Sequence, residues 1–270
     1  MCRNNANLVV GMTTFYDEFL GLSIPVLARI KQKFILIIHN DNPDTKISKR
    51  QIRKLGYRGR LYIINSKYNV GQLRARLAIL GVVAQKKLKA KWFLFADDED
   101  FVLDAKIPDV AVNHFAVIQN MLVIKNRLVD VLRIIKNPTK YNIDDDNICV
   151  VRPHIGLAGT LVRLNAIMEL GRILTENIIQ ISDIDESLNH RPPVDMMMWS
   201  ALNIIANAQG TNATPIYMDN VNYVATKLDY SDKKYGQKKD SGQQAQRAIE
   251  KYNRVILAAL GVNDAAPAGQ

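Results

Sequence analysis

The chain has 270 residues, 48% of them hydrophobic and 23% charged, which is enough to bury a full core and excludes a disordered chain. Cys2 and Cys149 supply neither a disulfide framework nor metal-ligand spacing. No apolar stretch approaches the about 18 residues of a membrane helix, and Leu8-Val9-Val10 is too short for a signal segment, so a cytoplasmic location is expected, with peripheral membrane contact at most.

In chain order, Asn7 to Met12 reads as a strand opening into the polar turn Thr13-Thr14-Phe15-Tyr16. Phe19 to Ile30 has helical periodicity, with Pro25 predicting a break or kink. Lys33 to His39 is a continuous apolar run and hence a buried parallel strand, closed by the turn signal Asn40 to Asp44. A short basic helix over Ser48 to Leu55, a strand over Leu61 to Ile64, a helix over Gln72 to Lys89 and a strand over Trp92 to Phe95 follow. This alternation predicts an α/β fold, a mainly parallel sheet with helices on both faces. Val110 to Ile135 reads as helical or mixed, Asn142 to Asn147 as a loop, and Cys149 to Arg152 as a strand. Helices are expected over Leu164 to Leu174, Asp195 to Gln209 and Ala245 to Leu260. The polar stretch Asp229 to Gln246 reads as mobile, and Val262 to Gln270 as a frayed end.

The densest chemistry lies at Trp92-Phe93-Leu94-Phe95-Ala96-Asp97-Asp98-Glu99-Asp100, an apolar run that stops in four carboxylates. Carboxylates so placed repel one another unless water or a cation relieves them. One or two such side chains with room for phosphates is what Mg²⁺ or Mn²⁺ prefers, and a solvated acidic turn is the plain alternative. In parallel sheets ligands bind beyond the carboxyl ends of the strands, which brings Thr13–Tyr16, Asn40–Asp44 and Asp97–Asp100 into one crevice. The net charge of +10 is uneven: from Asp44 to Asp97 there is no acidic residue, while Lys and Arg recur from Lys46 to Lys91. Such a field attracts nucleic acid, anionic headgroups or a nucleotide diphosphate.

Four segments, in order, resemble the GT-A glycosyltransferases of the inverting, nucleotide-sugar-dependent family 2 group. They are Val9 to Tyr16, the second strand with Asn40-Asp41-Asn42, Asn69-Val70-Gly71-Gln72-Leu73-Arg74-Ala75-Arg76, and Phe93 to Asp100. Gly156 to Arg163 and Val194-Asp195-Met196-Met197-Met198-Trp199 match more weakly. The chain departs from the pattern at Thr13, Tyr16, Asn40 and Val194. The resemblance implies a Rossmann-like GT-A domain over residues 1–228, with a nucleotide-binding half (1–104) and an acceptor half (105–228), followed by residues 229–270 as mobile segment, helix and tail.

It further implies a metal-dependent transferase that moves a sugar from a nucleotide-diphosphate donor to a hydroxyl of a glycan, lipid-linked or protein acceptor. Thr13, Thr14, Phe15, Asp41, Arg76, Asp97, Asp98 and Gly159 would bind the donor. Asp97 and Glu99 would hold Mn²⁺ or Mg²⁺, with Asp100 as the shifted-register alternative. Arg76 would reach the diphosphate or fix Asp97. Asp195 is the candidate base, although an Asp at a helix start behind Pro192-Pro193 also reads as an N-cap. Met196 to Trp199 reads as core packing more than as an acceptor platform, and the segment Asp229 to Gln246 as a donor lid or an inert tail. Two other readings remain. A nucleotidyltransferase would want a Gly-rich basic loop after the first strand, which Gly11-Met12-Thr13-Thr14 lacks. A nucleic-acid binder built on Lys46 to Lys91 would want more aromatic interleaving than Tyr57, Tyr62, Tyr68 and Trp92.

Overall fold

A computed structural model describes residues 6–109, 111, 114–125, 148–151, 156–181, 194–208, 214–227 and 242–262. The loop expected over Asn142 to Asn147 and residues 229–241 of the polar stretch lie outside them, whereas residues 242–246 of that stretch, expected to be mobile, belong to the last helix.

The first half follows the alternation read from the sequence. Strand β1 (Leu8–Thr14) leads through a 3-10 turn at Asp17–Phe19 into helix α1 (Leu20–Leu27). Next come β2 (Phe34–Asn40), α2 (Lys49–Lys54), β3 (Arg60–Asn65), α3 (Gly71–Gln85) and β4 (Trp92–Asp97). The predicted break at Pro25 does not occur, because Pro25 sits in the last turn of α1, where its missing N–H removes a single helical bond. Ser48 caps α2 by accepting the Gln51 N–H at 3.2 Å, and Arg53 and Lys54 suit the carbonyl end of that helix.

The second half adds β5 (Phe101–Val102), β6 (Ala116–Lys125), β7 (Ile148–Val151), β8 (Leu161–Arg163), α4 (Leu164–Glu176), α5 (Val194–Ala208), β9 (Ile216–Lys227) and α6 (Gly242–Ala259). Where Val110 to Ile135 read as helical or mixed, the described part is the long strand β6. Both of its faces are buried, so it is apolar without alternation, and its polar pair Gln119-Asn120 lies at a register shift against β9. There Asn120 donates to Asp219 at 2.7 Å.

The nine strands of the described residues form one sheet in the order β3-β2-β1-β4-β8-β6-β9-β5, with β7 paired to β6. The parallel ladders β1–β2, β1–β4, β2–β3 and β6–β9 are the long ones, and the antiparallel pairings are short. Helices cover both faces, as expected. Val9, Ile35, Ile37, Phe93 and Phe95 face a core built with α3, α4, α5 and α6. Their neighbours Leu8, Val10, Leu36, Ile38 and Leu94 face a second core with α1 and α2. That period-two division is what a continuously apolar central strand provides, each fully buried large side chain contributing about 1.5–3 kcal/mol. Gly11 lets α3 approach closely, since a Cβ there would lie 2.7 Å from the Phe93 ring and 2.8 Å from Ile79. Helix α6 docks through Tyr252 and Ile256 into the first core. Among the described residues no helix is long and apolar enough to cross a membrane.

Candidate active site

The parallel strands β1, β2, β3 and β4 end at one rim, and the polar residues at their ends meet there. Thr13 pairs with Asp97 across the β1–β4 ladder, and its hydroxyl donates to Asp97 Oδ1 at 2.8 Å. Asp98 Oδ2 accepts from the Thr14 hydroxyl at 2.5 Å and from the backbone N–H groups of Phe15 and Tyr16, both at 3.2 Å. The turn after β1 is thus built around the Asp98 carboxylate. It presents the half-buried rings of Phe15 and Tyr16, edge to face with centroids 5.1 Å apart.

Asp41, just past β2, directs both carboxylate oxygens at the start of α3. Oδ1 accepts from Val70 N at 2.7 Å and Oδ2 from Gly71 N at 2.9 Å. The N-cap residue of α3, Val70, has no side chain able to cap it; Asn69 Oδ1 accepts from Gly71 N at 3.1 Å, and Asp41 adds a charge to the positive end of the helix dipole from a distant strand. Each oxygen keeps a second lone pair for a ligand.

Arg76 is fully buried on α3, and its guanidinium lies between two carboxylates. Nη1 donates to Asp195 Oδ1 and Nη2 lies 3.5 Å from Asp97 Oδ1, while the group packs 5.1 Å from the Phe95 ring centroid. Burial opposes its charge, but Asp195 and then Asp97 outweigh that, so it stays protonated. With no exposed surface, Arg76 fixes Asp97, as one of the two sequence readings had it, and also holds Asp195. Asp195 occupies the first turn of α5 with its side chain 32% exposed.

The four-carboxylate run alternates. Asp97 and Glu99 are partly exposed, whereas Asp98 and Asp100 are buried. Asp100 accepts from Tyr223 Oη at 2.7 Å and from Thr226 N at 2.9 Å, and the Thr226 hydroxyl donates to the Glu99 carbonyl. Burial raises the Asp97, Asp98 and Asp100 carboxyls above their ordinary range, Asp98 to about 6; the Asp97 charge adds to the rise at Asp98 and Asp100, whereas Arg76 opposes it at Asp97. Among the described residues no three His, Cys, Asp or Glu side chains enclose a metal by themselves. Two partly exposed carboxylates, Asp97 and Glu99, are nevertheless a fitting partial donor set for a hard cation that takes its remaining ligands from phosphates and water, and its charge would offset the cost of burying carboxylates here.

Gly159 lies beside β4 just before β8: its N–H donates to the Phe95 carbonyl at 2.8 Å, and it adopts a φ of +76° against the ring of Tyr223. Tyr223 and Thr226 are the site residues that sequence reading missed. The β-branched and aromatic content of Ile216 to Lys227 was the available signal for that strand. Of the run Met196 to Trp199, read as core packing more than as an acceptor platform, Trp199 stacks on Phe115 in the core, while Met196 beside Asp195 is 45% exposed. Asp183, Asp185 and Glu186, the nearest preceding carboxylates in sequence that could serve as base in place of Asp195, lie outside the described residues. The basic residues divide: Lys46, Lys49, Lys67 and Arg74 belong to the carboxyl-end rim, but those in the connections leading into β3 and β4 belong to the opposite rim.

No family model and no curated protein matches the sequence. Among solved structures, the chain is similar to TarS of S. aureus (residues 1–349), at 14% identity over 95% of this chain and 73% of that one, with a TM-score of 0.47. It is also similar to the nucleoside-diphosphate-sugar pyrophosphorylase of Vibrio cholerae, at 13% identity over 83% of this chain and 98% of that one, with a TM-score of 0.46.

Proposed function

We propose that the crevice transfers a sugar, with inversion, from a nucleotide-diphosphate sugar to an acceptor hydroxyl. The observation that carries the reading is the Asp97–Arg76–Asp195 bridge: a fully buried guanidinium that joins the acidic strand end to a second, partly exposed carboxylate on another helix. A solvated acidic turn has no use for so costly a burial, whereas a displacement reaction needs both groups held at fixed separation.

Phe15 and Tyr16, with Asp41 and the Lys67–Gly71 connection, frame a place for the nucleoside. Asp98 keeps the β1 turn in shape and Asp97 and Glu99 would hold Mn²⁺ or Mg²⁺ with the diphosphate. Bound there, the cation would act as a Lewis acid that neutralises charge on the leaving diphosphate. Asp195, oriented through one oxygen by Arg76, would take the proton from the attacking hydroxyl with the other. Gly159, with no side chain, would leave room for the donor beside Tyr223.

A thermal-shift panel of nucleoside diphosphates and nucleotide sugars, with and without Mn²⁺, tests this directly. The expected result is stabilisation that needs nucleotide and metal together and disappears in Asp97→Ala and Glu99→Ala. Asp195→Asn should keep that stabilisation and lose about 100-fold or more in turnover. Metal-independent stabilisation that survives both alanine variants would refute the reading.

A further inference from the structure

The rim opposite the crevice has its own chemistry. Three connections bring the chain back to the amino ends of β2, β3 and β4, and the parallel register aligns those ends. The connection into β2 carries Arg29, Lys31 and Lys33, all exposed. That into β3 carries exposed Arg58, with exposed Arg60 opening the strand. That into β4 carries exposed Lys86, Lys87, Lys89 and Lys91. None of the three contains an acidic residue. A recess of about 400 Å³ lined by Lys91, Arg163, Asn165 and Met168 opens on the same rim. The other rim holds Asp41, Asp97, Asp98, Glu99 and Asp100, so the molecule is polarised along its strands.

We propose that this amino-end rim docks the protein on an anionic lipid surface, with acidic phospholipid headgroups as the partner. Most of its charges are lysines, whose ammonium groups act as point charges on flexible stems and suit a diffuse layer of headgroups. Among the described residues of these three connections and the strand ends they enter, the aromatic side chains Phe34, Tyr57 and Trp92 are buried, which leaves no row of exposed rings for nucleic-acid bases to stack on. Ile30 and Leu88 are buried as well, so the attachment is electrostatic without insertion, and therefore salt-sensitive. The same polarity turns the acidic crevice away from the lipid and towards the solution. This inference does not depend on the reaction assigned to the crevice.

Cosedimentation with phosphatidylcholine vesicles containing about 30% phosphatidylserine tests it. Binding is expected at about 0.1 M salt, and is expected to be lost at about 0.5 M salt and on pure phosphatidylcholine. Each neutralised lysine at the surface should cost about fivefold, so Lys86→Gln, Lys87→Gln, Lys89→Gln and Lys91→Gln together should reduce partitioning by about 100-fold or more. A control with Lys46, Lys49, Lys67 and Arg74 each changed to Gln removes the same charge from the other rim and should bind within about threefold of the native protein. If the first variant melts early, Lys31→Gln, Lys33→Gln and Arg58→Gln read the same surface. Equal loss in the rim variant and the control would overturn the proposal in favour of diffuse net charge. Absence of vesicle binding, with salt-dependent binding to an oligonucleotide instead, would overturn it in favour of nucleic acid.

Discussion

Asp98→Asn isolates what the acidic strand end costs the fold. Asp98 is only 9% exposed, and burial lifts its carboxyl from 3.8 to about 6. Between those values the folded protein holds a proton that the unfolded chain has released. The resulting stability is complete below the unfolded value and is lost as pH rises through about 6. The shift corresponds to about 3 kcal/mol over that window. Burial moves Asp97 and Asp100 the same way, so the whole cluster makes the ligand-free protein less stable as pH rises from mild acid to neutrality. Asn keeps an oxygen that accepts from Thr14, Phe15 and Tyr16 but carries no charge to desolvate. At pH 7.5 the variant should therefore be more stable than the native protein by about 1–2 kcal/mol, the weaker acceptor offsetting part of the gain. Urea unfolding of both proteins from pH 4.5 to 8 measures the difference, which should narrow and then reverse towards the acid end. Parallel stability profiles would refute the argument, because they would mean that Asp98 titrates alike in the folded and unfolded chain.

Arg76→Met should destabilise the protein by about 3 kcal/mol at pH 7, the lower end for a broken buried pair, because Asp97 and Asp195 keep 23% and 32% of their side-chain surface. The loss, followed by thermal unfolding, should shrink towards pH 4 as Asp97 protonates, and a pH-independent loss would mean that Arg76 serves packing alone. Gly159→Ala combines a left-handed backbone with a Cβ 2.4 Å from Tyr223 Cγ, so it should cost about 2–4 kcal/mol by chemical denaturation. An unchanged midpoint would show that Tyr223 and the β8 approach can shift apart freely.

The residues themselves determined the alternating first half. Short, Ile-rich apolar runs such as Phe34–Ile38, closed by a turn signal, read as strands buried on both faces, and in a parallel block the turn residues after them gather at one rim. The candidate crevice was legible for the same reason, since Thr13, Asp41 and Asp97 each end a strand of one parallel block. The second half resisted because β6 is buried on both sides and its partner β9 arrives about a hundred residues later, so no local period records the pairing. Individual roles likewise needed the tertiary structure. Asp41 could be read as a base ligand from sequence, but its use as a remote cap for α3 depends on where that helix starts in space. Arg76 could be read as a diphosphate ligand, but the packing of α3 against β4 and α5 buries it between Asp97 and Asp195. The charge of +10 was visible in composition, whereas the gathering of Lys31, Lys33, Arg58 and Lys86 to Lys91 away from the acidic strand ends follows from parallel strands, whose return connections lie at the end opposite the turns after the strands. A linear pattern records which residues are apolar or charged; which of them share a rim is decided only when the sheet closes its long-range ladders.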